Sequence, residues 1–193
     1  MDRHWLFYCR RNKKKIVMYW KTRINFTDDE LKVLTLLSNK HGRSSEGGFE
    51  KEPNILKDVP FAIEKINKLI DLYLPIKCKK YLVNSWNMQH LEGEEVPHKP
   101  HNHNYAHLSF VFYVKSDGNN KLLLMESNGL NFEIEVRPND FIIIPPDLMH
   151  TAEHGVATSD RVLFAGDIIL THIEYYNSDF LPPMENWIEL NNE

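Results

Sequence analysis

The hydrophobic pattern of this chain changes its period near residue 80, and that change limits the fold more than any other feature. Upstream, apolar side chains recur at helical spacing in 28–40, behind a capping box formed by Thr27 and Glu30, and again in a segment that we expect Asp58 to cap. Downstream, apolar and polar residues alternate, and strands are expected at about 80–89, 106–115, 120–126, 130–136, 140–144, 150–156 and 161–172. Two helices followed by short strands predict an α+β domain whose helices cover one side of an antiparallel sheet or barrel.

The length and composition fit a single domain. The chain has 193 residues, of which 42% are hydrophobic and 26% charged, as in ordinary globular proteins. We treat 1–193 as one domain with a basic N-terminal segment and two supporting helices (1–79), a β-barrel (80–173) and a C-terminal tail (174–193). Within the first part, the apolar run 16–20 could form a strand.

Charge and cysteine content exclude several classes of function. A net charge of −4 disfavours binding of nucleic acid over the whole surface. Two cysteines are too few for a disulfide framework and indicate a reducing, cytoplasmic setting. No apolar run reaches the roughly 18 residues that a membrane helix needs, so no membrane association is expected.

Histidines are concentrated in one part of the chain and suggest a metal site. Alternate side chains of an extended chain share a face, so His101 and His103 should project the same way, with Ser109 and Tyr113 on that face if the strand continues. A further histidine, His150, follows a short buried strand that ends at two prolines. Three neutral imidazoles that leave other positions open suit a catalytic transition metal better than a closed structural site.

The choice of ligands is not settled by the pattern alone. A His-x-His pair by itself is a weak motif, and the distal His150 is what favours a metal site. His98 and His107 lie near enough in sequence to replace a member of the pair, whereas His90 is expected at the surface or behind the ligands.

Arg161 opens an apolar strand eleven residues after His150. A guanidinium is costly to bury without a partner, and a bidentate carboxylate ligand is the best explanation for one that points into a barrel. The alternative is an arginine at the rim, paired with Asp160 or Glu153.

These residues resemble the 2-oxoglutarate- and Fe(II)-dependent oxygenases, and in particular a small bacterial and phage-associated branch. In that branch a His-x-His pair, a Leu-Ser-x-x-x-Tyr strand, a distal histidine and an arginine occur in this order, as do His101 and His103, 108–113, His150 and Arg161 here. The resemblance covers about residues 80–173 and implies a double-stranded β-helix, a jelly-roll or cupin-like barrel, with supporting N-terminal helices.

The resemblance also implies a chemistry, that of a dioxygenase. Fe(II) would be held by His101, His103 and His150, and 2-oxoglutarate would chelate it while Arg161 binds the distal carboxylate. O2 would be consumed, 2-oxoglutarate would be decarboxylated to succinate, and a substrate that the sequence does not identify would be hydroxylated. The other residues implied near the cosubstrate are Ser109, Tyr113, Asn84 and Trp86, although Trp86 is equally expected as plain core.

One position departs from the superfamily, and two other readings remain open. Most members have Asp or Glu where His103 stands, so a third imidazole makes this site one charge more positive. A cupin metalloenzyme, which would not need 2-oxoglutarate, shares the His-x-His pair and a turn like Pro138-Asn139-Asp140, although His107 stands where cupins usually have glutamate. A non-catalytic barrel would hold a structural or sensory metal, binding Zn(II) tightly without oxygen-dependent turnover.

Overall fold

A computed structural model describes residues 19–41, 54–73, 78–96, 99–125, 131–152, 155–171 and 188–190. In this part of the chain the α-helices are α1 (Asp28–His41) and α2 (Pro60–Tyr73), and a short 3-10 helix at Ile55–Asp58 lies between them in sequence. The strands are β1 (Trp20–Arg23), β2 (Lys79–His90), β3 (Glu95–Val96), β4 (Leu108–Lys115), β5 (Lys121–Met125), β6 (Asn131–Glu135), β7 (Asp140–Ile144), β8 (Met149–Ala152), β9 (Gly155–Val156), β10 (Arg161–Thr171) and β11 (Ile188–Leu190). Neither described helix combines the length and apolarity needed to cross a membrane.

The strands form a large sheet and a small one that enclose an apolar interior. The large sheet has the order β1-β7-β4-β10-β2-β11, the small one the order β6-β5-β8, and β3 pairs with β9; every pair is antiparallel. Val111 and Tyr113 of β4 pack with Leu122 and Leu124 of β5 in one core between these two sheets. The sheets therefore face each other as the two halves of a barrel.

Alternate residues of the large sheet pack against the helices instead. Phe110 and Phe112 of β4 belong to a second core with Leu34 of α1 and Ile66 of α2. Because neighbouring side chains of a strand point to opposite faces, a central strand covered on both sides is apolar at nearly every position, as β4 is. The predicted α+β arrangement, with helices on one side of the barrel, is confirmed.

The two helices begin differently from each other. α1 has the predicted capping box: the backbone N–H of Thr27 donates to the Glu30 carboxylate at 2.7 Å, and the N–H of Glu30 donates to the Thr27 hydroxyl at 3.2 Å. The prediction that Asp58 caps α2 is wrong, because α2 begins at Pro60 and Asp58 ends the 3-10 helix. Proline disfavours a helical residue before it but suits the first helical position, so Pro60 sets the start.

The observed strands differ from the predicted ones at several places, among them the unpredicted two-residue strand β3. The single strand expected at 150–156 is two strands, β8 and β9, which belong to different sheets. The N-terminal strand is β1 at Trp20–Arg23 rather than 16–20, of which 16–18 lie outside the described residues. The tail adds β11, which pairs with β2 and buries Leu190, because three residues are too short for a period to be recognised.

Candidate metal centre

Three histidine side chains come together beside a cavity of the barrel. One ring nitrogen from each of His101, His103 and His150 lies within 4.8 Å of the other two, and this is the group of potential metal ligands found among the described residues. The two segments are joined by backbone hydrogen bonds, since His101 and His150 exchange N–H to carbonyl bonds of 3.0 and 2.9 Å. The N–H of His103 donates to the carbonyl of Pro146 at 2.7 Å, in the turn that ends β7.

The second ring nitrogen of each histidine determines which atom can bind metal. Nδ1 lies 3.0 Å from the Lys99 carbonyl in His101, 3.0 Å from the Leu148 carbonyl in His150, and 3.1 Å from an Asp167 carboxylate oxygen in His103. Every one of these partners is an acceptor, so each Nδ1 carries the proton and Nε2 becomes the ligand atom. Burial also lowers the pKa of His101, against the raising effect of the Lys99 carbonyl, and so favours the neutral form that binds metal.

Asp167 lies behind the histidines with a side chain that is 0% exposed. One carboxylate oxygen accepts from Ser109 Oγ at 2.7 Å, and the other accepts from Tyr105 Oη at 2.5 Å and from His103 Nδ1. Burial first, and then the charge of Asp167, raise the pKa of Tyr105 far above its ordinary value. The sequence interpretation missed Asp167, although a carboxylate within the apolar run of 162–170 was a signal, because a buried charge needs partners.

Trp86 holds His103 from the other side. The indole ring stacks on the His103 ring with centroids 5.5 Å apart and planes 9° from parallel, and His103 in turn stacks on His150 at 5.1 Å and 10°. Trp86 belongs to the core between the two sheets and also lines the cavity at the histidines. The two expectations for Trp86, a core residue and a residue near the cosubstrate, are therefore compatible.

The cavity beside the histidines is mostly apolar, and besides Trp86 it includes two more residues that the resemblance implied near a cosubstrate. Ser109 and Tyr113 both line it, and the Ser109 hydroxyl donates to Asp167. Burial raises the pKa of Tyr113 to about 12, although the charge of Arg161 acts the other way, so the phenol stays protonated as a hydrogen-bond donor.

Arg161 is buried in the barrel rather than placed at its rim. Arg161 is 1% exposed, and it shares a face of β10 with Leu163, which belongs to the core between the two sheets. Its Nη2 donates to Nδ1 of His90 at 3.1 Å. The rim alternative is not supported, because Asp160 pairs with Lys115 at 2.7 Å instead; Glu153 lies outside the described residues.

The remaining predicted residues lie elsewhere. Asn84 is buried, and its side-chain oxygen accepts from the backbone N–H of Asn54 at 3.1 Å rather than lining the cavity. Nδ1 of His107 accepts from the backbone N–H of Leu170 at 3.2 Å, and His107 does not join the ligand group. His90 is buried rather than exposed, and His98 lies outside the described residues.

Comparison with known proteins shows the fold and nothing more specific. No protein-family model and no curated protein matches the sequence. Among solved structures, the α-ketoglutarate-dependent epimerase SnoN from nogalamycin biosynthesis matches with a TM-score of 0.63 and 11% identity, over 84% of this chain and 81% of that one. HygX from Streptomyces hygroscopicus, solved with nickel and 2-oxoglutarate, matches with a TM-score of 0.56 and 11% identity over 81% and 84% of the two chains. A Pseudomonas putida prolyl-4-hydroxylase matches with a TM-score of 0.53 and 12% identity over 77% and 85%.

The chain therefore has the jelly-roll fold of the 2-oxoglutarate- and Fe(II)-dependent oxygenases, as its sequence motifs predicted. The donor set fits a non-haem iron: three imidazole nitrogens lie within 4.8 Å of one another beside a cavity, and Nδ1 of each ring has a hydrogen-bond partner. This orientation of the rings is an observation of the chain itself, independent of the similar structures.

Proposed function

We propose that this protein is a non-haem Fe(II) dioxygenase that couples decarboxylation of 2-oxoglutarate to succinate with hydroxylation of a further substrate. The observation that carries the proposal is the meeting of His101, His103 and His150 inside a barrel that also buries Arg161. The planar guanidinium of an arginine inside a barrel matches a carboxylate in a bidentate way, and a bound dicarboxylate would offer such a group.

Each part of the chain has a separate task in this proposal. The three imidazoles would hold Fe(II), which when bound would supply the redox chemistry needed to activate O2. Arg161 binds the distal carboxylate of 2-oxoglutarate, and His90 fixes the guanidinium by accepting its Nη2–H. Tyr113 lines the cavity, and its hydroxyl would donate a hydrogen bond to the same carboxylate. The apolar walls exclude water from the reacting centre.

The metal and the cosubstrate can be tested separately. We would load the apoprotein anaerobically with Fe(II), add 2-oxoglutarate and record the metal-to-ligand absorption band. His150→Ala should abolish metal retention, whereas His107→Gln, which removes a histidine outside the ligand group, should retain it. Arg161→Ala should weaken 2-oxoglutarate binding with the metal still bound, whereas Arg137→Ala, at an exposed arginine, should not.

The outcome also separates the competing functions. Succinate formed in step with O2 consumption supports the oxygenase, and uncoupled turnover of 2-oxoglutarate is sufficient because the second substrate is unidentified. O2-dependent chemistry without any 2-oxoglutarate requirement indicates a cupin-type metalloenzyme. Tight Zn(II) binding with no turnover under any of these conditions indicates a binding barrel. If the variants at His150 and Arg161 bind as the parent does, the assignment of the site is wrong.

A further inference from the structure

Asp167 has a place in this site that the metal ligands alone do not explain. We infer that Asp167 is a positioning residue whose charge, transmitted through His103, replaces the charge of the carboxylate ligand that His103 displaces. The inference rests on the proposed metal centre and goes beyond it, because it states why an all-histidine site can hold a divalent metal in this fold.

The first step of the argument is charge. A set of two histidines and one carboxylate lowers the charge of a divalent metal centre by one, whereas three neutral imidazoles leave it unchanged. An uncompensated charge inside an apolar cavity is unfavourable. Asp167 is fully buried and lies one imidazole ring away from the metal position, with its oxygen 3.1 Å from Nδ1 of His103.

The second step concerns the other partners of Asp167. Among the described residues that hydrogen-bond its carboxylate, Tyr105 and Ser109 are neutral hydroxyl donors, and neither carries a positive charge. Within the part of the chain that the structure describes, no lysine or arginine bonds to this carboxylate, and its negative charge faces the unit that His103 would form with a metal. A carboxylate on the outer nitrogen of a ligating imidazole increases its basicity and fixes its tautomer.

The third step is rigidity. β10 changes register against β2 between Asp167 and Ile168, a local irregularity of the kind that redirects a side chain. With two hydroxyl donors on one side and Trp86 stacked on His103 on the other, neither the carboxylate nor the imidazole can turn away. The pair is preorganised for a metal at Nε2.

The central test is Asp167→Asn, a neutral residue of the same shape that can still accept the His103 hydrogen bond. Anaerobic titration of the full-length apoprotein with Co(II), against a competing chelator, should give a dissociation constant about 10- to 100-fold higher than that of the parent. Tyr105→Phe is the matched control, because it also removes a hydrogen bond of the Asp167 carboxylate but leaves its charge. Its dissociation constant should rise less than that of Asp167→Asn, because one of the two hydroxyl donors that hold the carboxylate is lost but the charge remains.

A charge exchange distinguishes electrostatics from packing. His103→Asp alone places a second carboxylate beside the buried Asp167, and like charges at that distance oppose each other. The double variant His103→Asp, Asp167→Asn restores a single carboxylate, now as a direct ligand, and should bind Co(II) more tightly than His103→Asp alone. This comparison remains valid even if Asp167→Asn alone folds poorly, which circular dichroism of each apoprotein would reveal.

The possible results separate this inference from the proposed function. A parent protein that does not bind Co(II) contradicts the metal centre itself. A parent that binds Co(II), with Asp167→Asn binding equally well, or with Tyr105→Phe losing as much affinity, overturns only the role of the Asp167 charge. A double variant that binds no better than His103→Asp overturns it as well. Distinct d–d absorption bands for parent and double variant, at similar affinity, would support the exchange of ligand.

Discussion

Gly166 lies where three strands approach closely, and its replacement by alanine is a strong test of the barrel geometry. It pairs with Ser85 of β2 on one side and with Phe110 of β4 on the other. A Cβ atom there would lie 2.7 Å from the backbone oxygen of Asn84 and 2.6 and 2.8 Å from two ring atoms of Phe110. Ordinary carbon–oxygen contacts begin at about 3.3 Å, so the strands would have to separate by roughly 0.6 Å.

The magnitude follows from what can move. The Phe110 ring is packed in the core and the Asn84 oxygen belongs to the backbone, so neither obstacle can yield easily. Overpacking a rigid core costs about 1 to 3 kcal/mol, and we expect Gly166→Ala to lie at the upper end, about 3 kcal/mol. An unfolding entropy of about 2.1 cal/mol/K per residue over 193 residues is roughly 0.4 kcal/mol/K, so Tm should fall by about 7 °C.

Thermal unfolding of the apoprotein by circular dichroism measures the shift, and Co(II) titration provides a second measurement. Because Asp167 follows Gly166 directly, displacement of the backbone should also weaken metal binding through His103. Phe110→Leu, introduced with Gly166→Ala, removes the ring contact but not the contact with the backbone oxygen. The double variant should therefore be less destabilised than the sum of the two single variants. A Tm within about 2 °C of the parent for Gly166→Ala, or strict additivity, would refute the close approach of these strands.

Three further changes test other parts of the structure. Tyr113→Phe should raise the Kd for 2-oxoglutarate about 10-fold or more, because a hydrogen bond to a charged group is lost. Since the pKa of Tyr113 is about 12, this increase should be the same from about pH 6 to 9. Burial lowers the pKa of His107, so the unfolded chain binds a proton there more readily than the folded chain does. The stability of the fold should therefore decline as the pH falls below about 6.5. His107→Asn, whose side-chain oxygen can still accept from the backbone N–H of Leu170, should give a flatter profile of Tm against pH. Asn139 has a φ of 70° and bonds both backbone groups of Phe26 at 2.8 and 3.2 Å, so Asn139→Ala should cost about 2 to 3 kcal/mol in urea unfolding and Asn139→Gly only about 1. Equal losses for these two Asn139 variants would show that the backbone conformation contributes nothing.

Much of the fold could be predicted because the spacing of apolar residues that marks a helix or a strand is a local property of the sequence. The alternation in β4 separates Val111 and Tyr113 from Phe110 and Phe112, and the two sets pack in different cores. The start of α2 was misplaced because the conformation of a residue before proline outweighs a good capping residue. β11 escaped prediction because its pairing with β2 depends on tertiary contacts rather than on any pattern of its own.

The site was predictable only where its chemistry is concentrated in a short segment. His101 and His103 are two residues apart, and the distal His150 was recognisable from the prolines that end β7. Asp167 and the contact of His90 with Arg161 were not predicted, because each residue meets its partner across more than 60 residues of sequence. A register irregularity and the pairing of long strands bring them together, and neither feature can be derived from residue spacing.

The ligand histidines approach the centre from the two halves of the barrel. His150 lies in β8 of the small sheet, whereas His103 is anchored to Asp167 in β10 of the large sheet. A bound ion would therefore cross-link the two sheets, and its binding energy would add to their folding energy. Removing the ion with a chelator should loosen β8 before the rest of the domain unfolds. Amide hydrogen exchange in Met149–Ala152 can thus report occupancy of the centre before any substrate is known.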